Sequence, residues 1–259
     1  MDIYQTIHEV ASLRCTDDGV SFIHQERLDY LARALSATAY HETALPLARV
    51  YHAAAFDKTR PFVVVSSHVD ELPTRPWSDE ITSRMPGQWL KGTYDNAITN
   101  AVLLFLMKEG KLDAQAVVAF TGNEECENGH VMEGARQVVK TLHPRPGTDF
   151  CLILDVTAEG KLEEDDFTVE NVFPRERLTR EKVLAELEQR VSNAGPYSCI
   201  PDGWEDEAWL YDQFGLACCS LCIPTRGPMH ENEGLLVRKA AVPGYASALA
   251  ALSRPYPSL

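Results

Sequence analysis

Residues 61–70 of the 259-residue chain read Pro-Phe-Val-Val-Val-Ser-Ser-His-Val-Asp, and this stretch decides the fold. Its short, β-branched apolar run is typical of a strand buried on both faces. Strands of that kind belong to parallel sheets whose two faces are covered by helices. The stretch therefore predicts an α/β protein, and it places His68 and Asp70 at the end of a central strand.

Strands and helices alternate along the rest of the chain. Apolar, strand-sized runs occur at 114–121, 150–156 and 216–223, and residues 45–56 are predicted to be extended. Helical periodicity is found at 3–13, 22–35, 95–112, 131–142, 178–194, 205–214 and 238–252. This order predicts a three-layer α/β/α fold with a mixed, mostly parallel central sheet. No gap between elements could house a second domain, so we expect residues 1–259 to form a single domain.

Composition and charge narrow the classes of function. The net charge is −14 and the isoelectric point is about 5.0, a surface that repels phosphate backbones, so we expect no nucleic-acid partner. No run approaches the roughly 18 apolar residues of a membrane span, and no secretory signal is recognised at the N-terminus. The seven cysteines lack disulfide-framework spacing. We therefore expect reduced thiols and a cytoplasmic location.

Polar residues with metal-binding or acid–base capacity stand where the predicted strands end. Ligands of α/β sheets bind at that edge. The residues are His68, Asp70, Asp95 (just before a helix), Glu124, Glu125, Asp155 and His230. Each has an ordinary explanation when taken singly: His68 could be a hydrogen-bonded core histidine, and Asp95 could be a helix N-cap. Their convergence on one crevice favours a shared chemical role.

The residue types suit a pair of divalent metal ions. Imidazole and carboxylate are ligands for zinc, and cobalt or manganese would suit the same set. Two zinc ions ~3.5–4 Å apart need a bridging carboxylate, and each needs one further carboxylate and one histidine. A carboxylate that binds no metal can take the proton of a water molecule. Asp70, two residues after His68, can accept the second ring N–H of a metal-bound imidazole.

The same residues carry a resemblance to a known family. His68-Val-Asp70 after a buried strand, Asp95-Asn-Ala97 at the start of a helix, Glu124-Glu125, Asp155-Val-Thr157 and the late His230 resemble the co-catalytic di-zinc aminopeptidase superfamily. The runs LILDVT and IPTRGPMHENE are most similar to the glutamyl-aminopeptidase, or tetrahedral aminopeptidase, family. That family inserts an oligomerisation domain between the positions of Asp70 and Asp95, where this chain has only a short loop. The oligomeric state is therefore left open.

The resemblance implies a metal-binding role for five of these residues. His68 and Asp155 would hold one zinc ion, Glu125 and His230 the other, and Asp95 would bridge them. It also implies a cis peptide bond directly after the bridging Asp95.

Two further residues would act in catalysis, according to the same resemblance. Glu124 would be the general base, and Asp70 would orient His68. The reaction would be removal of N-terminal residues from peptides. A deacylase or carboxypeptidase on the same scaffold, and a non-catalytic metal-binding protein of this fold, are the alternatives.

Residues near the end of the chain have less certain roles. Trp204, Trp209 and Tyr211 are expected to pack in the core rather than to line a pocket. Asp206 could support the site or simply cap a helix, and Arg226 could face a substrate carboxylate or close a loop. The spacing Cys219-x-x-Cys222 is interpreted as two buried strand cysteines, because no second pair accompanies it.

Overall fold

The computed structural model describes residues 2–13, 24–71, 85–125, 131–227 and 234–256. Within these ranges it contains seven helices and ten strands. The helices are α1 Ile3–Ala11, α2 Gln25–Leu35, α3 Ala97–Lys108, α4 Glu133–Leu142, α5 Arg177–Val191, α6 Glu207–Gln213 and α7 Ala241–Leu252. The strands are β1 Tyr40–Leu45, β2 Ala48–Ala53, β3 Val63–His68, β4 Trp89–Gly92, β5 Ala116–Thr121, β6 Phe150–Thr157, β7 Phe167–Phe173, β8 Tyr197–Ile200, β9 Ala217–Arg226 and β10 Leu235–Arg238.

The strands form one mixed sheet in the order β1-β2-β5-β3-β6-β9-β10-β4, with β7 and β8 branching from β9. The four central strands, β5, β3, β6 and β9, are parallel to one another. Antiparallel pairs flank this centre: β2 joins β5 on one side, and β7 and β10 join β9 on the other. Because the central strands are parallel, their carboxyl ends meet at a single edge of the sheet.

Each face of the sheet has its own apolar core. Alternate residues of the central strands, such as Val65 and Leu152, pack with α1, α2, α3, α5 and α7. The intervening residues, such as Val64 and Cys151, pack with α4 and α6 on the opposite face. The period of two along a strand produces this division. The result is the predicted three-layer α/β/α arrangement.

Most of the predicted elements are present, with shifted ends. Of the segment at 45–56, which was expected to be extended throughout, residues 48–53 form β2, and β2 pairs with residues 40–45 of β1 in a hairpin. The last helix begins at Ala241, because residues 235–238 form β10 against β9. Strands β1, β4, β7, β8 and β10 were not predicted. No helix in the described part of the chain combines the length and apolarity that crossing a membrane requires.

Candidate metal centre

His68 lies at the centre of a group of carboxylates. It is the last residue of β3, and its side chain is buried. Its Nε2 atom is 3.2 Å from Oδ1 of Asp95 and 3.7 Å from Oδ1 of Asp155. Its Nδ1 atom is 3.7 Å from Oδ1 of Asp70. One imidazole is thus surrounded by three carboxylates that come from three separate segments of the chain.

Asp70 links the end of β3 to the loop that follows β5. Its Oδ2 atom accepts a hydrogen bond of 3.0 Å from the backbone N–H of Glu125, and its own carbonyl oxygen lies 3.3 Å from Nδ1 of His68. Asp70 therefore contacts the imidazole from behind while it fixes the loop that follows β5. This is the position expected of a carboxylate that orients a ligating histidine.

Hydrogen bonds from the side chains of Asn96 and Asn100 fix the position of Asp95 at the start of α3. The Asp95–Asn96 peptide bond is cis, as the sequence resemblance predicted. Asn96, not Asp95, occupies the N-cap position, and its amide donates to the carbonyl oxygen of Leu154. The amide of Asn100, one turn later, donates to the carbonyl oxygens of His68 and Asn96. These bonds fasten α3 to β3 and β6, so Asp95 faces His68.

Asp155 stands inside β6 rather than after it, because this strand continues to Thr157. Its register partner on β9 is Cys222. Its Oδ1 atom accepts a 2.7 Å hydrogen bond from the N–H of Val156. Glu124 and Glu125 come shortly after β5, on the other side of β3.

Burial and mutual repulsion dominate the electrostatics. Burial raises the pKa of Glu124 well above its ordinary value; the charge of His68 opposes this, and the charge of Asp155 adds to it. Burial and the charge of Asp95 raise the pKa of Glu125 to about 9. For His68, burial acts to lower the pKa, but Asp155, Asp70 and Asp95 together raise it well above the usual value. So much negative charge in one place favours a bound cation.

The residues fit a divalent metal ion. Among the described residues, two sets of side chains have ligand atoms within 4.8 Å of one another: His68 with Asp95 and Asp155, and His68 with Glu124 and Glu125. Oδ1 of Asp95 is buried and has no hydrogen-bond partner in the described residues. A cation between this oxygen and the imidazole would satisfy both. The donor set, imidazole plus carboxylate, is one that zinc accepts.

Of the seven predicted site residues, the structure brings six together. These are His68, Asp70, Asp95, Glu124, Glu125 and Asp155. The seventh, His230, lies outside the described residues, and its placement stays a prediction.

The group opens into a cavity of about 180 Å³, and two residues of its wall, Glu170 and Trp204, were not predicted to lie there. Glu170 on β7 and Trp204 between β8 and α6 line it, together with Asp206. The expectation that Trp204 packs in the core is wrong, since its side chain is 69% exposed. Sequence reasoning missed Glu170 because the pattern Phe-Thr-Val-Glu-Asn-Val-Phe does not resemble a buried strand. Cys222, correctly predicted to be buried in a strand, also lines the cavity.

Asp206 has the supporting position that was considered for it. It caps α6 by accepting from the N–H of Ala208, and it also accepts from the hydroxyl of Ser220 on β9. Burial and the charge of Asp155 raise its pKa to about 7. Capping a helix and facing the cavity are therefore compatible in this residue.

Arg27 is a further residue that sequence reasoning missed. Its guanidinium group is fully buried in α2, donates to the carbonyl oxygen of Val69 at 3.0 Å, and forms an ion pair with Glu71. It therefore holds the residue on either side of Asp70. An arginine in an amphipathic helix is ordinarily a surface residue, so the sequence offers no signal for this contact.

Comparison with protein families gives a direct result. The model of peptidase family M28 matches residues 50–208, which is more than half of the chain. The chain belongs to peptidase family M28. It is therefore a peptide hydrolase of a metallopeptidase family, and the suspected superfamily is confirmed. The M28 match includes His68, Asp95, the glutamate pair and Asp155.

Solved structures confirm the fold. An aminopeptidase from the archaeon Desulfurococcus kamchatkensis is 13% identical, with a TM-score of 0.72 over 97% of this chain and 95% of the other. A TET aminopeptidase from a marine sediment thaumarchaeon is 12% identical, with a TM-score of 0.70 over 97% and 96%. An endoglucanase from Thermotoga maritima is 12% identical, with a TM-score of 0.68 over 96% of each chain. Comparison with curated proteins gives no match.

Proposed function

We propose that this M28 metallopeptidase is a di-zinc aminopeptidase that removes N-terminal residues from peptides. The observation that carries the proposal is the buried imidazole of His68, which is surrounded by carboxylates at the edge of the sheet. Two of the structures with a similar fold are aminopeptidases, which supports the same choice. One domain formed by residues 1–259 would supply the whole site.

Five residues would hold the metal ions. His68 and Asp155 would bind one zinc, Glu125 and His230 the other, and Asp95 would bridge them. The two ligand sets found among the described residues share His68, and their number of carboxylates supports a site with room for more than one ion. When bound, the ions would polarise the scissile carbonyl and lower the pKa of a water molecule.

Glu124 and Asp70 would perform the protein's part of the reaction. Glu124 lines the cavity beside the ligands, and the raised pKa of its carboxyl group suits a residue that must gain and then release a proton. It would take a proton from the attacking water and deliver it to the nitrogen of the departing peptide. Asp70 would fix the ring of His68, and through the N–H of Glu125 it would also fix the loop that carries the base.

Matched substrates test the reaction type. Peptides with a free N-terminal amine, their N-acetylated counterparts, and N-acyl amino acids are offered to the zinc-loaded protein. We expect cleavage of the free-amine peptides alone, one residue at a time, and loss of activity after chelation. Preference for the acylated compounds would identify a deacylase, and release of C-terminal residues a carboxypeptidase. Tight metal binding with no turnover of any amide would identify a binding protein.

Adjacent isosteric variants separate base from ligand. Glu124→Gln should lower turnover by about 10²–10⁴-fold and keep the full metal content, because only the proton acceptor is lost. Glu125→Gln, its matched control, should instead lower the metal content measured by elemental analysis. Loss of metal from Glu124→Gln with little change in turnover would reverse the two assignments.

A further inference from the structure

We propose that the cavity selects peptides whose N-terminal residue is lysine or arginine, and that Glu170 is the residue that recognises the cationic side chain. The inference rests on the proposed aminopeptidase function and names its substrate class. It is carried by the position of Glu170, which has no cationic partner in the part of the chain that the structure describes, and by the exposed side chain of Trp204, which lines the same cavity.

Glu170 lies two strands away from Asp155, one of the candidate metal ligands. Strand β9 separates β6, which carries Asp155, from β7, which carries Glu170. Two strand spacings correspond to roughly 10 Å across the sheet. In the strand register, Asp155 pairs with Cys222 and Cys222 pairs with Thr168, so these three residues form one row across the sheet. Glu170 lies two residues further along β7 than Thr168. A side chain with a long stem is needed to span this distance from a peptide bound at the metal centre.

The carboxylate of Glu170 is buried without a counter-charge. Its side chain is 3% exposed, yet it lines the cavity. The hydroxyl of Thr168 donates to its Oε1 atom at 2.5 Å, and no Lys or Arg of the described residues forms an ion pair with it. Burial raises the pKa of this carboxyl group above its ordinary value, and hydrogen bonds from the hydroxyl groups of Thr168 and Thr157 only partly oppose the rise, so the ionised form carries a large desolvation cost. A substrate ammonium or guanidinium group would offset that cost.

Trp204 lines the same cavity as Glu170, and its loop is hydrogen-bonded to β7. Asn171, at the bulge in β7, donates from its amide to the carbonyl oxygen of Trp204 at 2.6 Å. The neighbouring Gly203 approaches so closely that a Cβ atom there would lie 2.6 Å from Oε2 of Glu170. The loop with the exposed indole therefore sits against the recognising carboxylate. An indole face suits both the methylene stem and the charge of a basic side chain.

The remaining wall favours the same class of substrate. Beyond the proposed ligands and base, the charged residues of the lining are Glu170, Glu205 and Asp206, and among the residues that the structure describes no Lys or Arg lines the cavity. An N-terminal aspartate or glutamate would meet repulsion from these groups. A short apolar side chain would leave Glu170 unpaired. Lysine and arginine alone combine the length with the charge.

The test compares lysine with norleucine, which has a similar straight stem and no charge. Rates are measured on aminoacyl-coumarin amides of lysine, arginine, norleucine and glutamate with the zinc-loaded protein. We expect kcat/KM for lysine to exceed that for norleucine by about tenfold or more, the value of a hydrogen bond to a charged group. Glutamate should be the poorest substrate. Binding of lysinamide and norleucinamide, followed by calorimetry, should show the same order.

Variants assign the preference to Glu170. Glu170→Gln should abolish the advantage of lysine, measured as the ratio of kcat/KM for the lysine amide to kcat/KM for the norleucine amide. Glu164→Gln removes an exposed charge on the 159–166 loop and should keep the preference, so it controls for net charge. Equal binding and turnover of the lysine and norleucine compounds by the unaltered protein would overturn the inference while leaving an aminopeptidase. If no aminoacyl amide is cleaved, the proposed function fails, and equal binding of the two amides would then overturn the inference separately.

Discussion

Acidification should destabilise this protein through His24, the N-cap of α2. The imidazole is fully buried, and its Nδ1 atom accepts the backbone N–H of Arg27 at 3.2 Å. Its Nε2 atom lies 3.3 Å from the carbonyl oxygen of Leu13, so the ring is neutral with its proton on Nε2. A second proton would occupy the atom that caps the helix. It would also place a buried cation beside the guanidinium group of Arg27.

The size of this loss of stability follows from the difference between the pKa of His24 in the folded protein and its pKa in the unfolded chain. Burial and the charge of Arg27 lower the pKa of His24 to about 2 in the folded protein. Glu26 lies 3.6 Å from Nδ1, but it is partly exposed, and its attraction is outweighed. An unfolded histidine has a pKa of ~6.5. Above that value both states are neutral and the group has no effect. Below it the unfolded chain binds the extra proton, so stability falls continuously until the folded pKa is reached. Between pH 7 and pH 5 the loss is about 2 kcal/mol.

Urea unfolding, followed by circular dichroism at pH 7, 6 and 5, measures this loss. A chelator is present throughout, so that competition between protons and metal does not contribute. The control is His24→Asn, because asparagine is a good N-cap that cannot titrate. We expect the unaltered protein to lose about 2 kcal/mol more than the variant over this range. Parallel pH dependences would refute the reasoning, as would an imidazole resonance of folded His24 that titrates near pH 6.

Three substitutions test other parts of the structure. Arg27→Met leaves Glu71 buried without its cation and should cost about 3–5 kcal/mol in urea unfolding; the double variant with Glu71→Gln should recover part of this, and additive losses would contradict the pairing. Asp70→Asn removes the negative charge beside Nδ1 of His68 and should weaken metal binding by about 10–100-fold in a chelator competition. An unchanged metal affinity would show that Asp70 does not orient the imidazole ring. Gly134→Ala places a Cβ atom 2.5 Å from backbone atoms of the β1–β2 turn and of the residue after β5. It should cost about 1–3 kcal/mol, measured as a lower unfolding midpoint, whereas a neutral result would mean that α4 can shift freely.

The local pattern of the chain was sufficient for the centre of the fold. The run that becomes β3 opens with three valines, and every residue of this strand is buried in the structure. Every residue of β5 is buried as well, and in β6 every residue but Asp155. Because parallel strands between two helical layers need apolar residues at every position, such strands can be recognised without knowing their neighbours. The ligand-type residues could be located for the same reason, since strand ends fix where ligands bind.

The outer strands could not be recognised in this way. Strands β4, β8 and β10 have four residues each, and they become strands by pairing with distant segments. Arg238 illustrates this: it continues a helical pattern in the sequence, but backbone pairing with β4 makes it part of β10. Strand β7 is buried but contains the polar residues Glu170 and Asn171, so its sequence does not have the apolar pattern of a buried strand. Hydrogen bonding between remote segments decides such cases, and no local pattern contains it.

The sequence by itself determined the α/β class, the central strands and six of the residues that the structure brings together at one edge of the sheet, because each depends on a local pattern or on the chemistry of a residue type. Only the tertiary structure decided how they meet. It placed Asp70 between His68 and the glutamate loop, Arg27 behind Asp70, and Glu170 with Trp204 on the opposite wall. The physical reason is that distances between side chains on different elements depend on strand order and helix packing. These are properties of the whole chain, and they set which charges face one another.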